Sequence, residues 1–198
     1  INPHFLYNTL ETVYWMGVKN KAPEIQSIAQ KMGSFYRLSL SNGNQVVSLK
    51  AELQQVQDYT DIQNMRFGNR IHLEICVPEE LLAARLLKLT LQPLVENSIN
   101  HGIRETEQES GMITISAKLS EKDLLITIED DGVGMDQEQL SKMMQRNTTI
   151  IGHGYGVWNI NERLRRNYGD PYGLQYESSP GEGTCVTIRI PADLPKLG

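Results

Sequence analysis

At residue 70 the apolar period of the chain changes, and no other feature of the sequence restricts its layout as much. Before that point apolar residues recur at helical spacing. In RIHLEICV they alternate at Ile71, Leu73, Ile75 and Val77, the spacing of a strand with one covered face. Helices alone before the switch, and strands with interspersed helices after it, divide the chain into a helical module over residues 1–68 and an α/β part over residues 69–198.

The helical module reads as three helices. In the first, residues 4 to about 20, Leu6, Leu10, Val13 and Gly17 lie on one stripe. Asn2 suits its N-cap and Pro3 its first position; alternatively the helix runs in from upstream and Pro3 kinks it. Pro23 opens a helix over 23–40, SNGNQ breaks it, and Ser48 caps a third over 49–66 with Glu52 near its first turn. Leu53, Val56 and Tyr59 give that helix its stripe. Three helices of this size cannot bury all their apolar faces alone, so a homodimer is expected.

After the switch, LLAARLLKLTLQPLVENSINHG reads as one long helix ended by Gly102. GMITISAKLS and DLLITIEDDG read as paired strands, GVWNINERLRRNYG as a helix, and LQYESSPGEGTCVTIRIP as a terminal hairpin. Residues 136–151 are polar and poor in core residues. The fold class is α+β: a helical module followed by a two-layer sandwich, with helices on one face of a mixed, mainly antiparallel sheet.

Composition excludes little but does so usefully. A net charge of −5 argues against wholesale nucleic-acid binding, so a polyanionic ligand must be held by local donors, a helix N-terminus or a metal. Cys76 and Cys185 form no CxxC motif and read as small buried hydrophobes in a reducing compartment. No run approaches the roughly 18 apolar residues of a membrane span. The first residue is Ile, which suggests a piece excised from a longer protein.

Four stretches carry candidate chemistry. In LVENSINHG, Asn97 and Asn100 or His101 point the same way on a helix, and Gln92, Glu96 and Asn100 form a neighbouring polar row. Asn is a poor helix former, while an Asn carbonyl beside a carboxylate suits a hard cation such as Mg2+; a solvated helix face is the plain alternative. In IEDDGVGM, the strand period turns Asp130 to the side of Ile126 and Ile128. A buried carboxylate needs donors, and an adenine amino group is one. Gly132 and Gly134 would let the backbone approach a ligand, or merely make a turn. In GHGYGVWNINERL, Gly152, Gly154 and Gly156 lead into a helix whose first amides could bind phosphate oxygens, and His153 and Arg163 could add positive charge. In SPGEGTCV, Gly183 and Thr184 start the last strand.

Taken together, Asn97, Asp130-x-Gly132-x-Gly134, the Gly152–Gly156 loop and Gly183-Thr184 resemble, in order and spacing, the motifs of the GHKL-type (Bergerat) ATPase fold. Gyrase, the heat-shock chaperone, histidine kinases and the MutL repair protein share that fold. INPHFLYNTL, RFGNRI and LQPLVENSINHG look like LytS-type sensor histidine kinases, so the resemblance covers essentially the whole chain.

The resemblance implies ATP and Mg2+ as cofactors. Asn97 would ligate the metal and Asp130 would accept from adenine. Gly132, Gly134 and Met135 would line the base, with Thr184 nearby. Residues 136–151 would form a lid, and Gly152, His153, Gly154, Tyr155, Gly156 and Arg163 would face the phosphates, with Asn100 and His101 completing the pocket. His4 would be the phosphoacceptor. A neutral imidazole is a good nucleophile near pH 7. His4, Asn8 and Glu11 share a helix face.

The commonest histidine kinases follow this His with an acidic residue; here Phe5 follows. The general base is therefore expected to be weak, or to be Glu96 or Glu11, and Asn8 is expected to position water for dephosphorylating a partner. The partners implied are a second copy and the aspartate of a response-regulator receiver domain. The location implied is cytoplasmic, in a parent protein anchored to the membrane upstream. A serine-phosphorylating or conformational ATPase, or a non-catalytic nucleotide-binding scaffold, remain open on the same fold.

Overall fold

The structure, a computed structural model, describes residues 3–40, 45–144 and 155–192. Helices α1 (Pro3–Lys19) and α2 (Pro23–Ser39) form an antiparallel hairpin. Pro23 sits at the first position of α2, where its missing N–H costs nothing. The hairpin closes tightly at Gly17, where a Cβ would lie 3.0 Å from the Gln26 backbone and side chain. Leu10, Gly17 and Ala29 are its buried positions among the described residues. Phe5, Trp15, Met16 and Val18 stay exposed, so the module leaves apolar surface uncovered, as its composition implied. Asn2 lies outside the described residues.

Strand β1 (Val46–Ser48) leads directly into α3 (Leu49–Phe67), and the Ser48 hydroxyl caps α3 by accepting from the Ala51 N–H at 3.2 Å. Strand β2 (Ile71–Cys76) follows. The long helix expected over 81–102 is not one helix. A 3-10 turn (Glu79–Leu81) leads to a short strand β3 (Arg85–Leu87), which pairs antiparallel with β1. A turn with Leu89 at φ +57° then enters α4 (Gln92–Asn97), which widens into a π turn (Ser98–Gly102) and a 3-10 turn (Ile103–Glu105). Leu86, Leu87, Leu91 and Leu94 are all buried, and a run covered on every side carries no period to separate strand from helix.

Strands β4 (Gly111–Ser120) and β5 (Asp123–Asp130), helices α5 (Gln137–Met144) and α6 (Tyr155–Tyr168), and strands β6 (Gly173–Ser179) and β7 (Gly183–Pro191) complete the chain. The main sheet has the order β2-β4-β5-β7-β6; only the β2–β4 pairing is parallel. Ile115, Ile128 and Val186 are cross-strand neighbours on its covered face. Val157, Ile160 and Leu164 of α6 and Leu49, Leu53 and Val56 of α3 belong to the same core. A division at residue 68 thus cuts α3 away from the core it helps to fill.

The cysteines depart from expectation. Cys76 is exposed and Cys185 half-buried, because both alternate onto the sheet face without helices. The Cys185 thiol donates to Glu129 at 3.7 Å, and burial with that carboxylate pushes its pKa up. On the same face a concavity of about 440 Å³ is lined by Met112, Thr114, Glu129, Glu177 and Cys185, and it reaches Asp130 and Thr184 at the strand ends.

Candidate functional site

The β5 alternation puts Asp130 on the covered face, where it is 8% exposed. Burial pushes its pKa up; the Ser98 side chain and the backbone N–H groups of Gly132 and Thr184 oppose that shift. The Gly132 N–H donates to Oδ1 at 3.1 Å. Ser98 reaches the carboxylate because the π turn carries Ser98 and Gly102 onto the end of β5. Such turns insert one residue and re-aim those around them.

Glycine at 102 lets the backbone pack directly against this carboxylate. A Cβ on Gly102 would stand 2.9 Å from Asp130 Oδ1 and 3.5 Å from Oδ2. Gly132 lies against the backbone of Gly102, and the Val133 N–H donates to Gly102 O at 3.2 Å. Gly134, at φ +64°, packs on the Ser179 carbonyl, and Gly183, at φ +84°, on the Asp130 carbonyl. Gly132 and Gly134 were expected to let the backbone approach a ligand or to make a turn. Their close approaches are to other backbone. A carboxylate held there can accept a hydrogen bond from an amino donor.

Ser178 ties the neighbouring strands together. Its hydroxyl donates to Gly183 O at 2.8 Å, accepts from the Met135 N–H at 2.9 Å and lies 3.0 Å from Thr184 Oγ1. Met135 and Thr184 are therefore fixed beside Asp130. Asn97, half-buried at the end of α4, directly precedes Ser98. Among the described residues no three His, Cys, Asp or Glu side chains cluster as a metal cage. A divalent cation at Asn97 would take most of its oxygens from phosphate and water.

Asp130, Gly132, Gly134, Met135 and Thr184 are thus brought together, with Ser98, Gly102 and Ser178 as members that sequence reasoning did not name, and Asn97 lies one residue before Ser98. The remaining candidates divide. Helix α6 begins at Tyr155 with Gly156 exposed on its first turn, while Gly152, His153 and Gly154 lie outside the described residues. Of the expected lid, 136–144 is described. Helix α5 opens with a reciprocal cap, in which Asp136 accepts from the Gln139 N–H at 2.8 Å and Gln139 from the Asp136 N–H at 2.9 Å.

Arg163 does not face the α6 N-terminus. It donates to Leu89 O at 2.9 Å and Thr90 Oγ1 at 3.2 Å, and burial pushes its pKa down. From the other side, the 1% exposed Glu52 carboxylate accepts the N–H groups of Leu89 at 2.6 Å and of Thr90 and Leu91 at 2.9 Å. A carboxyl group from α3 and a guanidinium from α6 therefore clasp the turn that starts α4. Burial still pushes the Glu52 pKa up against those three donors.

Glu96 and Asn100 face α3 rather than Asp130. The Asn100 amide hydrogen-bonds the Tyr59 hydroxyl, and Arg104 donates to Asn100 Oδ1 at 3.4 Å. Burial and the Glu96 charge push the Tyr59 pKa up to about 12. His101 is exposed on the π turn. His4 and Asn8 are exposed on α1, and the Asn8 amide nitrogen lies 3.4 Å from His4 Nδ1, one turn away. They stand on the helical hairpin, not in the Asp130 cradle.

Comparisons with known proteins agree with this geometry. The family model described as histidine kinase matches residues 1–71, and that of the histidine kinase-, DNA gyrase B- and HSP90-like ATPases matches residues 83–194. The sensor histidine kinase YesM of Bacillus subtilis is 36% identical over 96% of this chain, and BtsS of Escherichia coli is 31% identical over 96%. The chain spans 32% of the length of each, about a third of these curated relatives. Among solved structures, the histidine kinase domain of the blue-light activated kinase EL346 of Erythrobacter litoralis aligns with a TM-score of 0.55 at 15% identity, covering 96% of this chain and 94% of that one. The Acinetobacter baumannii kinase AdeS aligns with a TM-score of 0.56 at 14% identity, covering 97% and 96%. At those identities the structural likeness speaks for the fold alone. With its family model matched over more than half of the sequence, the chain belongs to the histidine kinase-, DNA gyrase B- and HSP90-like ATPase family.

Proposed function

We propose that this chain is the catalytic core of a two-component sensor kinase, which binds Mg-ATP, phosphorylates its own His4 and passes the phosphoryl group to an aspartate of a receiver domain. The observation that carries the reading is the buried Asp130 carboxylate, bordered by Gly102, which puts no side chain over it, in a chain that also presents an exposed imidazole on a helix.

Asp130 accepts the adenine amino hydrogen, and Met135 and Thr184 bound the base. Asn97 would hold Mg2+ through its side-chain oxygen, and the ion would offset phosphate charge. A ring nitrogen of His4 forms the new N–P bond while the bond from the γ-phosphorus to the bridging oxygen breaks and ADP departs with that oxygen. The imidazole proton passes to a base, which we assign to Glu96. The protein contributes alignment and electrostatics more than covalent chemistry. Asn8, within reach of the His4 ring, orients it and later the water that attacks a partner's phosphoaspartate.

The exposed face of α1, with Phe5, Trp15 and Met16, supports a homodimer built through the hairpin. No described helix is long and apolar enough to cross a membrane. We place the domain in the cytoplasm, where ATP is supplied, within a parent anchored by other segments.

The test is incubation with γ-labelled ATP and Mg2+, comparing wild type with His4→Gln. An acid-labile, base-stable label that disappears in the variant is expected. Acid-stable label, or equal label in both, overturns the reading.

A further inference from the structure

The polar row on α4 and its π turn (Gln92, Glu96, Asn100) meets α3 at two places four residues apart, and α3 meets α2 at the same two. Gln55, 2% exposed, donates from one amide nitrogen both to Ser39 Oγ at 2.7 Å, on the last residue of α2, and to Gln92 Oε1 at 2.8 Å, on the first residue of α4. One turn on, the Tyr59 ring packs on Phe35 of α2 with centroids 6.0 Å apart, and its hydroxyl is bonded by Asn100 beside Glu96. Phe35 and Ser39 are themselves one turn apart. Two rungs therefore run from α2 through α3 to the helix that carries Glu96 and Asn97, with Glu96 between them.

Physical chemistry singles out these side chains. A leucine at 55 would fill similar space without desolvating an amide, and the buried amide is tolerated only because each of its hydrogens meets an acceptor. Those acceptors lie on two different helices, so the amide bonds are both made only when α2 and α4 keep one relative position. Tyr59 stays protonated at any physiological pH, so its contact with Asn100 does not titrate away.

We infer that Gln55 and Tyr59 are positioning residues: they hold the row containing Glu96 in register with the helical hairpin, so that α3 transmits the placement of α2 to the phosphoryl-transfer site. This rests on the proposed role of Glu96 as base. Neither residue touches nucleotide in this scheme, so their loss separates binding from transfer.

The experiment uses Gln55→Leu, which keeps volume, and Tyr59→Phe, which removes only a hydroxyl. His4 labelling at saturating ATP is expected to slow at least tenfold in each, with ADP affinity within twofold of wild type. Amide hydrogen exchange of the nucleotide-free protein is read in parallel. In Gln55→Leu, exchange should accelerate together at residues 35–39 and 92–95, while β4 and β5 stay protected. Unchanged labelling in both variants overturns the inference. So does loss of ADP affinity in step with labelling, which would make the residues mere supports of the domain. If wild type fails to label His4 yet the two segments still accelerate together, the kinase reading falls and the mechanical link stands.

Discussion

The helical hairpin and the sheet domain are built on opposite terms. In α1 and α2 the buried positions are few and Phe5 is 70% exposed, so the hairpin presents apolar surface outward. In the sheet domain Ile113, Ile115, Ile126 and Ile128 are fully buried and continuous with α3 and α6. The contrast assigns a job to each. The part that must hold a nucleotide in fixed geometry is closed and self-sufficient. The part that in the proposed scheme would offer an imidazole to the nucleotide and then to a partner keeps His4 and its apolar surface in the open.

The largest test of that contrast is a pair of truncations. Ile128→Ala removes packing at the centre of the core and is expected to destabilise the fold by about 2–5 kcal/mol, read as a lower urea midpoint. Trp15→Ala, at a 59% exposed position, should change the unfolding midpoint by no more than about 0.5 kcal/mol while shifting the sedimentation mass toward monomer. Equal destabilisation by the two would break the comparison.

The two regions also differ in how much of them could be read from sequence. Strict alternation in DLLITIED fixed which way Asp130 points, because a period of two leaves no freedom once Ile126 and Ile128 are known to be covered. Ser48 announced its helix because a cap is a local hydrogen bond. The break within 81–102 left no such trace: Arg85–Leu87 is a strand only because Val46–Ser48, far away in sequence, pairs with it. The partners of Arg163 were hidden for the same reason. A guanidinium after a glycine-rich loop suggests phosphate, and only the fold shows that the Leu89–Thr90 turn lies nearer. Local rules find the strands and the buried acid; non-local pairing decides which charged groups are consumed by structure.

A second test separates binding from chemistry across the same divide. Asp130→Asn replaces a charged acceptor, which contributes about 1.5–3 kcal/mol, so ADP affinity should fall roughly 10- to 150-fold. His4→Gln should leave it unchanged. Burial raises the Asp130 pKa, which fixes the sign of the pH dependence. In folding, the raised pKa means the native state holds the proton more tightly, so this group's contribution weakens as pH rises from its unfolded to its folded pKa and is level above. Nucleotide affinity moves the other way. It is full above the folded pKa and is lost as pH drops through it, starting at a higher pH than an ordinary aspartate would give. Calorimetry with ADP across that range should show the loss in wild type and a flat response in Asp130→Asn. A wild-type affinity that ignores pH would remove Asp130 from the site.

The smallest effect lies at the joint between the regions. Lys31 of α2 pairs with Asp61 of α3, which also accepts from Gln57 at 2.8 Å. Both side chains of the pair keep about a quarter of their surface exposed, 27% and 28%, so the attraction is partly screened. Lys31→Met should therefore cost no more than about 1 kcal/mol, and high salt should reproduce most of that cost in wild type. Its location matters more than its size. Because the hairpin has little core of its own, the loss should appear as faster amide exchange in α2, with β4, β5 and β7 as protected as before. Were the sheet amides to lose protection in step with α2, hairpin and sheet would open as one unit, and the independence that lets one part bind while the other moves would have no structural basis.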